Sequence, residues 1–390
     1  MHTFLQSFGG KVAETTTAWP WPDVAAAGDN TTLRWVIRRG NPGQGTFIFI
    51  NNYQRDGHGT KPSLPPKSQV RLELHVNGTA APLVIPSAKS DPLTVASDIW
   101  AVWPADMDLF EKADASDAPP PALAYATAQL VARVRTSGST EVLFLLETQG
   151  TALELAFTNG GAMKPEPGKA SVTTLGNHAV FRDVVAGTQP FVVIEAGGAK
   201  LSVVVLPWSM ADCFWLQTLG GVERLMVAES ATAPDILLLS DNHTLHLRTS
   251  VLSDTATQDI LICPAPTGGL KAAGGAAVAS KASGVFESYS PPITKVTLAA
   301  PTITRIKTAG PPRNVTAVRA SNHLAREPTM EEWHAAEVYN ITLKADIPTT
   351  GGDYKLAIDY LGDSARLYFG DRCLTDNVST HSTRRSQEGF

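Results

Sequence analysis

The chain has 390 residues, with 32 Lys and Arg against 37 Asp and Glu, and a formal net charge of −5. The basic residues are scattered rather than grouped in a stripe, which argues against a nucleic-acid partner. The longest apolar runs, such as residues 201–208, suit one buried strand, and the sequence predicts no membrane span. With 43% hydrophobic residues, the chain is long enough to bury about two or three cores.

Residues that could bind a metal or a cofactor are sparse. Cys213, Cys263 and Cys373 are too few and too widely spaced for a disulfide framework or a zinc site; a single bridge stays open as an alternative, and buried free thiols are favoured. No motif indicates a bound phosphate or a serine nucleophile. The sequence therefore predicts neither a metal nor a cofactor. The first residues also lack the basic start and apolar core of a signal peptide.

The N-terminal 27 residues are predicted to hold one short helix and an extended connector. Phe4, Leu5 and Phe8 recur at near-helical spacing and are followed by Gly9-Gly10, which predicts a helix that stops at the glycines. Prolines at 20 and 22 predict the connector, because proline fixes its own φ and restricts the residue before it.

From residue 28 onward, short strands separated by turn residues dominate the pattern. Residues 33–38 and 70–76 alternate between apolar and polar side chains, whereas residues 47–50 are continuously apolar. This pattern predicts a mainly β chain with tandem antiparallel β-sandwich domains, the first at 28–110 and the second at 111–265. A complete (β/α)₈ barrel is excluded, because amphipathic helices do not alternate with the strands.

The last third of the chain is predicted to contain a linker, a further β domain and a tail. Residues 266–292 are rich in Gly, Ala and Ser, which favours a flexible linker or a long loop. A strand-rich block follows at 293–378, with a short helix around 331–338 that begins at a capping box of Thr329 and Glu332. Residues 379–390 are polar and aperiodic and are predicted to be disordered.

Two glutamates follow apolar strands, as a catalytic carboxylate of a glycosidase would. A retaining glycosidase holds two carboxyl groups about 5–5.5 Å apart. Glu147 and Glu195 lack the strand–helix alternation that would place such a pair, so both are expected to face solvent at sheet ends. We predict no catalytic residue in this chain.

Three aromatic residues are candidates for contact with a sugar, whose apolar face packs against flat rings. They are Tyr53, Trp100 and Trp103. The alternative is that they fill a core between sheets, which is the commoner place for large aromatic side chains. The alternative is favoured for Trp103, whereas the two interpretations are balanced for Trp100.

Six Asn-x-Ser/Thr sequons are spread over the chain and predict N-glycosylation on the surface of a secreted glycoprotein. They begin at Asn30, Asn77, Asn242, Asn314, Asn340 and Asn377.

Several segments, taken in order, resemble one region of a known enzyme family. The more distinctive are residues 47–55 (FIFINNYQR) and 358–368 (IDYLGDSARLY), and the others are residues 2–10, 32–36, 103–109, 125–131, 200–207 and 211–215. Together they resemble the non-catalytic C-terminal region of the β-galactosidases of glycoside hydrolase family 35. Residues 2–10 are similar to the last helix of that family's catalytic barrel, and 358–368 to part of its C-terminal jelly roll.

The resemblance implies a parent enzyme that hydrolyses terminal β-galactosides with retention, using two glutamates on barrel strands. No position in this chain matches those glutamates, and both are expected to precede Met1. Residues 1–27 are then a remnant of the last barrel helix with its connector, and 293–378 a truncated jelly roll.

The chain is accordingly expected to be an accessory β region without activity of its own. A β-galactoside, bound through the parent enzyme, is the expected ligand, and the extracellular space or secretory pathway is the expected location. Two alternatives remain open: a stand-alone carbohydrate-binding or scaffold protein, and a subunit that complements a separately encoded barrel.

Overall fold

A computed structural model describes most of the chain. The described residues are 2–18, 26, 29–53, 64–75, 82–110, 119–159, 163–219, 221–228, 236–241, 244–249, 259–271, 276–291, 300–311, 328–343, 355–360, 364–378 and 385–389. They form mainly β structure with two α-helices, which confirms the predicted fold class. The chain divides into one compact unit of residues 1–247 and 253–293 and a second of 248–252 and 294–390.

The elements up to residue 291 are one helix, one short 3₁₀ turn and a long series of strands. Helix α1 spans His2–Ala13, and the 3₁₀ turn spans Trp208–Met210. The strands are β1 (Thr16–Ala18), β2 (Arg34–Arg39), β3 (Gln44–Asn52), β4 (Lys67–Val70), β5 (Leu72–Leu74), β6 (Leu83–Ile85), β7 (Leu93–Val95), β8 (Ile99–Asp108), β9 (Ala122–Ala126), β10 (Gln129–Ser137), β11 (Thr140–Leu146), β12 (Glu154–Thr158), β13 (Ser171–Leu175), β14 (His178–Arg182), β15 (Val192–Ala196), β16 (Ala199–Leu206), β17 (Phe214–Leu219), β18 (Val222–Ala228), β19 (Ile236–Asp241), β20 (Thr244–Thr249), β21 (Ile260–Cys263), β22 (Ser280–Ser283) and β23 (Phe286–Tyr289).

Three larger sheets are built from these strands. An eight-stranded sheet has the order β1-β2-β3-β8-β9-β12-β14-β13, and a four-stranded sheet has the order β10-β11-β16-β15. A five-stranded sheet has the order β17-β18-β21-β23-β22. Strands β4 and β7, β5 and β6, and β19 and β20 form separate two-stranded pairs. Within the described strands of the three larger sheets, pairing is antiparallel apart from β11 and β16, which run parallel.

The sheets stack in layers with a hydrophobic core in each gap. The first core lies between the eight- and four-stranded sheets and contains Phe47, Phe157 and Val203. The second lies between the four- and five-stranded sheets and contains Phe144 and Phe286. Because the four-stranded sheet is buried on both faces, its strands β11 and β16 contain continuous apolar runs, at 142–146 and 203–206, rather than an alternating pattern.

Two further cores cover the outer faces of this stack. The third core lies on the other face of the eight-stranded sheet, where Trp103 and Tyr125 pack beneath β4–β7 and β5–β6. The fourth lies on the other face of the five-stranded sheet, where Leu270 and Val278 cover Met226.

The predicted domain boundaries differ from the observed sheets. Strand β8, before the predicted boundary at 110, pairs with β9, which follows it, so one sheet crosses the boundary between 28–110 and 111–265. The predicted linker 266–292 instead contributes β22 and β23, and β23 pairs with β21. Small residues suit this segment because its strands are short and partly exposed, a context that composition alone does not distinguish from a linker.

The N-terminal helix continues through its two glycines to Ala13, so the predicted stop at Gly9-Gly10 is wrong. Its buried residues Phe4 and Phe8 belong to the first core, and the Phe4 ring lies 5.7 Å from that of Phe47. Packing of one apolar face extends the helix past residues of low helix propensity. The helix is thus packed into the first core of the first unit.

The second unit contains a short helix and paired strands. Helix α2 (Met330–His334) begins at the predicted capping box, in which the Thr329 N–H donates to Glu332 Oε2 at 2.7 Å. The strands are β24 (Thr302–Lys307), β25 (Val338–Thr342), β26 (Lys355–Asp359), β27 (Ser364–Phe369), β28 (Arg372–Val378) and β29 (Arg385–Gly389). They pair as β24–β25, β26–β29 and β27–β28. The pairing of β29 corrects the prediction that all of 379–390 is disordered, since backbone hydrogen bonds to a partner strand need no apolar periodicity.

Candidate functional site

A buried carboxylate accepts four hydrogen bonds on the face of the eight-stranded sheet that the third core covers. Glu154 is 3% exposed. Its Oε1 accepts from the Ser87 backbone N–H at 2.7 Å and from the Tyr125 hydroxyl. Its Oε2 accepts from Arg182 Nε at 2.9 Å and from the Ser90 hydroxyl. We call Glu154, Tyr125, Arg182, Ser87 and Ser90 the carboxylate hub.

Strand register and one turn bring the hub together. Glu154 of β12 and Arg182 of β14 are direct cross-strand partners. Two arginines hold the turn that carries both serines: Arg182 Nη2 donates to Ser87 Oγ at 2.9 Å, and Arg71 donates to the Ser87 and Ser90 carbonyls, each at 2.9 Å. The turn is therefore fixed by charge-assisted hydrogen bonds from two sides.

These contacts set the ionisation of the hub. Burial raises the pKa of Glu154, but hydrogen bonds from Ser90, Tyr125, Ser87 and Arg182 outweigh it, so its pKa lies below the usual value. Burial and the hydrogen bond to Glu154 raise the pKa of Tyr125 strongly. The carboxylate is ionised, its four acceptor positions are occupied, and the phenol is protonated. The hub suits structural cross-linking rather than proton transfer to a substrate.

A cavity of about 310 Å³ opens beside the hub and is lined largely by apolar side chains. Leu83 and Leu175 form part of its wall, Tyr125 reaches it from the sheet, and His178 and Lys89 supply polar groups. Burial lowers the pKa of His178, which favours the neutral imidazole near pH 7. This cavity can accept a small, mostly apolar group beside one neutral hydrogen-bonding ring.

A second cavity, of about 380 Å³, lies where α1 meets the sheet, and it mixes charges of both signs. Lys11, Glu14, Asp108 and Arg133 line it. Arg133 is already engaged, since its Nε donates to Glu141 at 2.7 Å and its Nη2 to the Leu109 carbonyl at 2.6 Å. Burial, with the nearby Arg133, lowers the pKa of Lys11.

The two glutamates considered as catalytic candidates occupy different environments. Glu195 is exposed, with Lys200 Nζ 3.8 Å away. Glu147 is half-buried, and its Oε2 accepts from the Trp208 backbone N–H at 2.9 Å. The expectation that Glu147 faces solvent is therefore wrong, because the carboxylate instead anchors the start of the 3₁₀ turn.

The structure separates the three aromatic candidates for sugar contact. Trp103 is fully buried in the third core, and its Nε1 donates to Thr148 Oγ1 at 2.9 Å, so it fills a core and cannot reach a ligand. Trp100 is 40% exposed and Tyr53 is 45% exposed. Both remain candidates for sugar contact.

The predicted glycosylation sites are partly described. Asn30 and Asn340 are exposed, and Asn377 lies in β28. Asn77, Asn242 and Asn314 lie outside the described residues.

Sequence analysis missed the carboxylate hub. The sequence feature that could have revealed it is Glu154, a single charged residue within the apolar run 152–157. A charged side chain in the middle of a buried strand is rarely left without a partner. The partners of Glu154 come from three distant segments, so no local pattern shows them.

No protein-family model matches the chain, and no curated protein sequence matches it. Among the described residues, no group of three or more His, Cys, Asp or Glu side chains is arranged to hold a metal ion. Neither helix in the described part of the chain has the length and apolar character needed to cross a membrane.

Proposed function

We propose that the chain is an accessory β region of a β-galactosidase-like glycoside hydrolase and contributes no catalytic carboxylate. One observation carries the proposal: segments that resemble that family lie side by side in the first unit. Residues 47–52 lie in β3, 103–108 in β8 and 125–126 in β9, and β8 pairs with both β3 and β9. Helix α1, which resembles the last barrel helix, packs through Phe4 and Phe8 on the first core, which also contains Phe47 of β3.

The packing of α1 supports a bracing role. One face of the helix is anchored in the first core, while Leu5 on another face is 47% exposed. A helix held in this way can transmit the position of a neighbouring catalytic domain to the β layers. The described carboxylates fit the same role, since Glu154 is saturated with donors and Glu147 anchors a turn.

The test compares the full chain made alone with the full chain isolated from the organism that encodes it. Made alone, the chain is expected to leave a chromogenic β-galactoside intact. Isolated through a tag from its own organism, it is expected to carry, on the same polypeptide, β-galactosidase activity that a tag-only control lacks. Hydrolysis by the chain made alone, lost in Glu195→Gln or Glu147→Gln, would overturn the proposal. So would the absence of activity in both preparations.

A second candidate function is a stand-alone carbohydrate-binding protein. The observation that favours it is the exposure of Trp100 and Tyr53 near one end of the eight-stranded sheet. An exposed indole is suited to packing against the apolar face of a sugar. This candidate predicts sugar binding by the chain made alone, with no associated hydrolase. A separately encoded barrel that co-purifies would instead indicate a complementing subunit.

A further inference from the structure

Three side chains form a row at one end of the adjacent strands β2, β3 and β8 of the eight-stranded sheet. The register pairs Arg34 of β2 with Asn51 of β3, and Asn51 with Trp100 of β8. Directly paired residues on neighbouring antiparallel strands point to the same face of a sheet. A guanidinium, a carboxamide and an indole therefore lie side by side. We call Arg34, Asn51 and Trp100 the end row.

The end row lies just beyond the cover of the first core. The next pair along the same face is Phe49 and Val102, and Val102 is only 3% exposed within that core. Trp100 is 40% exposed and Asn51 is also exposed. Burial thus ends between the pair Phe49–Val102 and the pair Asn51–Trp100. The Trp100 ring is therefore accessible beside polar groups.

The two polar groups of the row are held in place and keep hydrogen-bond donors. Asn51 Oδ1 accepts from the Tyr53 backbone N–H at 2.8 Å, which orients the amide and turns its Nδ2 donors away from that contact. Arg34 Nη2 donates to the Asp29 carbonyl at 2.8 Å. A guanidinium has five N–H donors, so one such contact fixes the group without exhausting it.

The charge around the row favours a neutral ligand. Hydrogen bonds from Thr32 and Thr31 lower the pKa of Asp29, so its carboxylate is ionised. Arg34 contacts Asp29 through the backbone carbonyl, so the two residues bring one charge of each sign to this end of the sheet and leave no net positive charge to favour an anion.

We propose that the end row binds a neutral pyranose, specifically a β-galactoside, with its apolar face on the Trp100 indole and its hydroxyl oxygens accepting from Asn51 and Arg34. The choice of galactoside rests on the proposed function, whereas the stacking and donor arrangement rest on the register. Tyr53, which follows the last residue of β3, contributes its backbone N–H, which holds the Asn51 side chain in place.

The experiment is a ligand-observed NMR titration of the full chain with methyl β-D-galactopyranoside. Trp100→Ala is expected to weaken binding about tenfold, since an aromatic contact contributes up to that amount. Asn51→Ala is expected to weaken it less. Tyr368→Ala is the matched control, because it removes another exposed strand aromatic, 51% exposed, in the second unit. Unchanged unfolding midpoints show that each variant is folded.

The outcomes separate this inference from the proposed function. Saturable binding that weakens in Trp100→Ala and persists in Tyr368→Ala supports the end row. Binding that is unchanged in folded Trp100→Ala overturns the end row but leaves a carbohydrate role in place. No saturable binding by the wild-type chain, with β-galactosidase activity still co-purifying, also overturns the end row and leaves the accessory role. A more than tenfold preference for galacturonic acid would overturn the neutral-ligand assignment.

Discussion

Glu154 and Arg182 face each other across β12 and β14, with Arg182 Nε donating to Glu154 Oε2 at 2.9 Å. The side chain of Glu154 is 4% exposed and that of Arg182 is 28% exposed, so the glutamate has almost no access to water if its partners are lost. The pair also holds the 87–90 turn over the third core through Ser87 and Ser90. A single cross-strand pair thus joins the sheet to the segment that covers it.

Glu154→Ala is expected to destabilise the first unit by about 3 kcal/mol, because Arg182 and Ser87 lose a common acceptor in a buried setting. The measurement is the free energy of unfolding from a urea titration followed by tryptophan fluorescence. Glu195→Ala is the control, since that side chain is 73% exposed and its ion pair with Lys200 is long at 3.8 Å. The control should change stability by less than about 1 kcal/mol. Equal effects in both variants would contradict a stabilising role for the hub.

The hub also predicts a pH dependence of stability. Hydrogen bonds hold the pKa of folded Glu154 below 4.5, so the unfolded state binds its proton first as the pH falls. The stabilisation is therefore complete above pH 4.5 and decreases as the pH falls from there through the folded pKa. Urea titrations of wild type and Glu154→Gln at several pH values measure this. The stability difference between them should shrink on acidification, and a difference that grows would contradict the depressed pKa.

Phe8→Ala is expected to destabilise the first unit by about 3 kcal/mol or more, because it leaves a cavity where α1 meets the first core. Leu5→Ala, on the exposed side of the same helix, should cost less than about 0.5 kcal/mol. Both substitutions raise helix propensity slightly, so their difference isolates the packing. Thermal or urea unfolding distinguishes them. Similar small effects would show that α1 is not anchored.

Gly284→Ala is expected to be far more damaging than Gly221→Ala. Both glycines have positive φ, +66° and +75°, so each alanine incurs about 1–2 kcal/mol of backbone strain. A Cβ at Gly284 would also lie 2.0 Å from the Thr188 carbonyl oxygen, whereas a Cβ at Gly221 meets nothing within 4 Å. We expect at least about 2 kcal/mol of additional destabilisation at 284. Comparable unfolding midpoints for the two variants would contradict the close approach between the β22–β23 turn and the Thr188 loop.

Local patterns of the sequence determined the secondary structure well but not the site. The apolar run that begins at residue 201 in β16 and the capping box at Thr329 are encoded by neighbours in the chain, and both predictions are confirmed. The end row is different, because Arg34, Asn51 and Trp100 become neighbours through strand register alone. Trp100 was identified as a candidate from the sequence, whereas its polar neighbours were not.

Alternation and apolar periodicity alone specified a mainly β chain, because those patterns report which face of each strand is buried. They did not specify which strands pair, since backbone hydrogen bonds between strands are nearly independent of sequence. Tertiary structure therefore decided that β8 and β9 share one sheet across a predicted boundary, and that 280–289 forms strands rather than a linker. It also decided that Trp103 is fully buried while Trp100, three residues earlier on the same strand, is 40% exposed.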